Sequence, residues 1–196
     1  MPDLHIVTYP HPALSRPSKP LVRIDAELRE IVRGMFELMY AAKGVGLAAN
    51  QVNLPYRLFV MNLAADPSKA EEERVFINPV LSRPKGAEEA EEGCLSLPGV
   101  YAPVRRPAQI TINAYNLEGQ EVFARLEGLA ARVVQHETDH LDGILFIDRL
   151  SPTARMAVSE QIKEFELIYQ GKRSRSEIPD DDAIIKQLEL LEQLRT

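Results

Sequence analysis

Residues 135–140 read QHETDH, two histidines four positions apart with a glutamate directly after the first. On an α-helix, positions i and i+4 lie on one face, one turn apart, so His136 and His140 can aim their rings at one point. Glu137 lies about 100° around the helix from His136. It can reach a water at that point and is badly placed to be a third ligand. Two ligands and one base are the mechanical content of a His-Glu-x-x-His helix. The competing reading is a solvated helix end whose charges offset the dipole. The flanks favour a helix over 128–141, with Leu129, Val133 and Val134 as its buried stripe and Gly143 ending it at the C′ position.

Working outward, the chain reads as helices at both ends and strands between them. Residues 1–24 are punctuated by prolines and read as an ordered arm over the core. Asp25 is a good N-cap, and Leu28, Ile31, Val32, Met35, Phe36, Leu38 and Met39 recur at helical spacing up to about Ala42. GVGLAANQ (44–51) reads as a tight loop. YRLFVMNL (56–63), RVFINPVLS (74–82), AQITINAYN (108–116) and EVFARLE (121–127) read as strands, and Ile110, Ile112 and Ala114 share one side. Residues 85–107 mix acids, a short apolar run and turn residues. After 128–141, a helix over about 153–169 follows Ser151-Pro152. Residues 171–182 read as a charged linker, and 182–195 as a short amphipathic helix. Connections between strands are too short for parallel crossovers. The expected class is α+β, a catalytic unit over 1–170 and an appendage over 171–196.

Composition narrows the function. The chain has 196 residues, enough for a sizeable core. Its formal net charge of −6 argues against broad binding to a nucleic acid backbone. No stretch approaches the ~18 apolar residues of a membrane span. The N-terminus resembles neither a secretory signal nor an Arg-rich transit peptide, so a cytoplasmic protein is expected, and a mature organellar form fits the same residues.

A catalytic metal commonly has three protein ligands and one open position. No histidine follows His140, and Glu160, Glu164 and Glu166 read as an ordinary helix surface. The remaining soft donor is the single cysteine, Cys94, 42 residues before His136 in EEGCLSLP. A lone cysteine is often just a small buried hydrophobe, but a thiolate also binds divalent ions strongly. In GVGLAANQ, the glycines permit close backbone approach to a ligand, and Gln51 could point its amide into a cleft. A helix cap and turn is the plainer account of that segment. On the residues alone, a metallopeptidase with a downstream third ligand and a non-catalytic metal-binding protein stay open.

Taken together, GVGLAANQ, EGCLSLP and QHETDHLDG resemble, in order and interval, the three signature motifs of the peptide deformylase family. The resemblance covers roughly residues 1–170. It implies an α+β fold with a central metal-binding helix among small antiparallel sheets. It implies a metallohydrolase that removes the formyl group from formyl-methionine of new polypeptides, releasing formate. Cys94, His136 and His140 would bind the metal, and Glu137 would be the general base and acid. The Gln51 amide and the Leu95 N–H would stabilise the oxyanion. Gly46 would contact the substrate backbone, and Val45, Leu95 and Val133 would line the methionine pocket. The implied ion is Fe(II), with Zn, Ni or Co able to replace it. The implied partners are nascent formyl-methionyl peptides. Some members dock on the ribosome through a basic C-terminal helix. Here residues 171–196 carry five basic and six acidic side chains, so that role is not carried over and at most a transient ribosome contact is implied. Metal-bound histidines usually lean on a carboxylate or carbonyl. Either Glu92 or Asp139 is therefore expected to pair with Arg106.

Overall fold

A computed structural model describes residues 4–196. The elements run α1 (Ala26–Ala41), β1 (Gly46–Ala48), β2 (Leu58–Met61), β3 (Arg74–Lys85), β4 (Glu88–Cys94), β5 (Leu97–Arg106), β6 (Gln109–Tyr115), β7 (Glu121–Glu127), α2 (Gly128–Leu141), α3 (Pro152–Ala157), α4 (Ser159–Ser174) and α5 (Asp181–Arg195). The strands form a five-stranded antiparallel sheet, ordered β1-β2-β3-β6-β7, and a separate β4-β5 hairpin.

The sheet is covered on both faces at β2, all four of whose residues are buried. Leu58 and Val60 pack against α1 through Leu28, Ile31, Met35 and Met39. Phe59 and Met61 point the other way and join Ile110, Ile112 and Ala114 against Ala131, Val134 and Leu141 of α2. Such alternation follows from the two-residue period of a strand. On β5, Val100, Ala102 and Val104 face inward against Phe146, Ile147, Val158 and Ile162. Helix α2 thus sits between the sheet and the hairpin, and its last two turns are buried nearly all round. It stops at Gly143, whose φ of +74° suits the left-handed C′ position. A β-carbon there would lie 2.6 Å from the Ser15 carbonyl oxygen, because the N-terminal arm crosses at that point.

Four expectations change. Residues 85–107 form a hairpin; the acids of β4 hid it because only Glu92 among them turns inward. Part of 44–51, expected as a loop, is a short edge strand, β1, paired with β2. The helix expected over 153–169 breaks at Val158 into α3 and α4, and α4 continues to Ser174. Leu129 is not in a buried stripe: it is 56% exposed, because the first turn of α2 faces a cleft. Of the arm, residues 4–24 lie over the core as expected, burying Val7, Ala13, Leu14 and Leu21; residues 1–3 fall outside the described chain. Helix α5 docks on this arm. Ile184 and Leu188 pack on Ala13, Glu192 receives Arg16 and Lys19, and the buried Arg195 pairs with Asp25 and Glu27.

Candidate active site

A cleft of about 700 Å³ opens between β1, the β4-β5 hairpin and α2. Val45, Gly46, Gln51, Cys94, Leu95, Val133, His136 and Glu137 all line it. His140 lies behind them, 1% exposed. Its Nε2 stands 3.2 Å from Cys94 Sγ and 3.2 Å from His136 Nε2. The one-turn spacing on α2 brings the two rings together. A bulge between Gly93 and Cys94 breaks the hairpin register, and the thiol turns toward the helix. The donor atoms of Cys94, His136 and His140 all lie within 4.8 Å of one another. One soft thiolate and two imidazole nitrogens converging at this range fit a divalent transition metal.

Glu137 is buried, and its Oε2 has no hydrogen-bond partner. Burial pushes its carboxyl up to about 7, against the opposing pull of His136 and Arg106. It lies so close to β1 that a β-carbon on Gly46 would stand 2.5 Å from its Oε1. This is the physical demand for glycine at that position. Burial and the neighbouring His136 push His140 toward its neutral form, the form in which an imidazole binds metal.

Gln51 lies in a short 3-10 turn over Ala49–Val52, directly after β1, and is held by the end of that strand. Its Oε1 accepts from the Ala48 N–H at 2.9 Å, which turns Nε2 toward Cys94 Sγ at 3.4 Å and Ser96 Oγ at 3.2 Å. The N-terminal arm braces the same two segments, with Val7 N–H donating to Gln51 O and Tyr9 N–H to Ser96 O.

Behind the histidines lies a charged network. Glu92 Oε2 faces His136 Nδ1 at 3.0 Å. Arg106, 3% exposed, donates to both Glu92 oxygens at 2.6 and 2.9 Å and to Asp139 at 2.6 Å. One carboxylate partner was expected for Arg106; it has both, since Glu92 and Asp139 approach from opposite sides. Burial alone would raise Glu92, but His136 and Arg106 hold it down at about 2. Arg132 adds a second cation on Glu92, and Arg149 pairs with Asp139. Sequence reasoning missed Arg132, Arg149 and Ser96. Arg132 was findable, because it lies one helical turn before His136.

A cysteine and two histidines beside a buried glutamate with one unpartnered oxygen, on this α+β frame, define a metal-dependent hydrolase. A family model described as polypeptide deformylase matches residues 3–156, and the chain belongs to that family. A curated peptide deformylase of Rhodopirellula baltica is 44% identical over 184 residues, 94% of this chain and 91% of the relative. Another, of Maricaulis maris, is 44% identical over 82% of this chain and 92% of its own. Among solved structures, a plant peptide deformylase superposes with a TM-score of 0.85 at 38% identity, covering 88% of this chain and 94% of that one. The Plasmodium falciparum enzyme gives 0.83 at 39%, covering 85% and 98%. No helix among the described residues is long and apolar enough to cross a membrane.

Proposed function

We propose that this protein removes the N-terminal formyl group of new formyl-methionyl polypeptides with the cleft residues in the following roles. Cys94, His136 and His140 would hold one divalent ion, and ferrous iron suits the mixed thiolate and imidazole set. When bound, the ion supplies Lewis acidity toward water and toward the formyl oxygen. Glu137 takes a proton from the attacking water and returns it to the departing amine, so that formate and a free N-terminus leave. The Gln51 amide and the Leu95 N–H donate to the oxygen on which negative charge develops. A donor of this kind contributes roughly 3–4 kcal/mol to the transition state. Val45, Leu95 and Val133 receive the methionine side chain, and the β1 backbone at Gly46 receives the peptide. The substrates are nascent chains; any ribosome contact would be transient.

The observation that carries this reading is the buried Glu137 Oε2, without a protein partner, beside the three converging donors. A metallopeptidase would need a third ligand downstream, whereas the donor beside the two histidines is Cys94. The test is formate release from formyl-X-Ala-Ser by protein purified without oxygen, with X as Met, norleucine, Gly and Asp. Norleucine should nearly match methionine. Gly and Asp should fall by an order of magnitude or more, since burying such a side chain is worth about 1.5–3 kcal/mol. Equal rates across the series would mean that the pocket is wrongly placed.

A further inference from the structure

Arg132 lines the cleft beside Val133, on the same α2 wall as His136, and its guanidinium is fully engaged. It is tied back to the hairpin, donating through Nη1 to Glu92 Oε1 at 2.7 Å and Val104 O at 3.0 Å, and through Nη2 to Glu88 O at 2.9 Å. The side chain is only 12% exposed. An arginine held by its head presents its methylene stem as apolar surface. Three anchors from β4 and β5 also take away the rotational freedom that a free arginine keeps.

We propose that Arg132 is a specificity-determining residue, its tethered stem forming a fixed wall of the pocket that measures the first side chain of the substrate. The inference rests on the pocket placement given above. The tether and the catalytic support are separable. Glu92 keeps both bonds from Arg106 and its contact with His136 when Arg132 is removed. A change at Arg132 should therefore alter which side chains are accepted more than it alters the metal ligands.

The test compares wild type with Arg132→Lys, Arg132→Met and Arg132→Ala on formyl-X-Ala-Ser, with X as Met, Gly, Phe and Asp, and measures bound metal in each. Lys keeps the stem and one donor group, Met keeps the stem without the tether, and Ala removes both. The Met-to-Gly ratio of kcat/KM should fall in the order wild type, Lys, Met, Ala, by roughly tenfold at Ala. The Phe-to-Met ratio should rise in the same order as the wall recedes. A purely structural role would slow all substrates alike and leave the ratios where they were, and that result overturns the proposal. So does a selective change for formyl-Asp, which would mean that the guanidinium itself meets the substrate. A wild type that does not distinguish Met from Gly would instead sink the pocket placement, and this inference with it. Loss of metal in Arg132→Ala would leave Arg132→Lys and Arg132→Met to decide.

Discussion

Glu137 and Gly46 form a pair whose closeness no sequence motif states. Replacing Glu137 by Gln keeps the size and the three ligand side chains but removes the proton carrier. Bound metal should stay near one equivalent while formate release drops by about 10²–10⁴-fold, the range for a general acid–base group. Full turnover in that variant would remove Glu137 from its role. Gly46→Ala tests the same contact from the other side. Its added methyl group falls 2.5 Å from Glu137 Oε1, and a packed interior does not absorb such an overlap without movement. We expect kcat to fall by at least about tenfold, with the metal retained, because the carboxylate is displaced rather than removed. An alanine variant with wild-type kcat would show that Glu137 does not need its present position.

The β4-β5 hairpin and helix α2 meet through charges, not through a wholly apolar seam. Arg106 lies on the inward side of β5 because it continues the alternation Val100, Ala102, Val104. It carries Glu92 on one side and Asp139 on the other. Arg106→Leu would leave two buried carboxylates short of a cation, and breaking buried pairs of this kind costs about 3–5 kcal/mol. Arg132 and Arg149 still serve Glu92 and Asp139, so the low end, about 3 kcal/mol, is expected in urea unfolding. Metal affinity should weaken together with stability, since Glu92 orients His136. A variant of unchanged stability and affinity would demote the network to a surface ornament.

Across the molecule, α5 fastens the N-terminal arm, and the arm in turn braces the Gln51 and Ser96 segments. The fastening is sensitive to acid. Hydrogen bonds from Arg16 and Lys19 hold the Glu192 carboxyl below its ordinary value of 4.5. The Leu28 N–H and Arg195 lower Asp25 likewise. A carboxylate with a lowered folded value adds stability that is complete above the unfolded value and is lost as pH falls through the folded one. The α5–arm contact should therefore hold at neutral pH and loosen at a pH below 4.5, seen as lower amide protection, relative to the intrinsic exchange rate at each pH, in α5 and in residues 14–22. In Glu192→Gln the exchange should be faster at neutral pH and depend less on acid. Equal protection of α5 at pH 7 and pH 3 would rule out the latch.

From residues alone, the α+β class, the strands β2, β3, β6 and β7, α1, α2 and the one-turn pairing of His136 with His140 could be read. Each of these follows from a period of two or 3.6 residues along one segment, which is a local property of the chain. The meeting of Cys94 with the histidines was suggested by a metal's need for a third donor and by the resemblance of the three motifs, not by any periodicity. A cysteine 42 residues upstream has no periodic relation to a helix. The hairpin was hidden because β4 is acidic and half exposed, so its pattern carries little apolar signal. The double use of Arg106, the tether of Arg132, the docking of α5 and the contact of Gly46 with Glu137 were decided by tertiary structure alone. They are relations between segments far apart in sequence, set by how the sheet, the hairpin and α2 close on one another, and no local pattern encodes a distance across that closure.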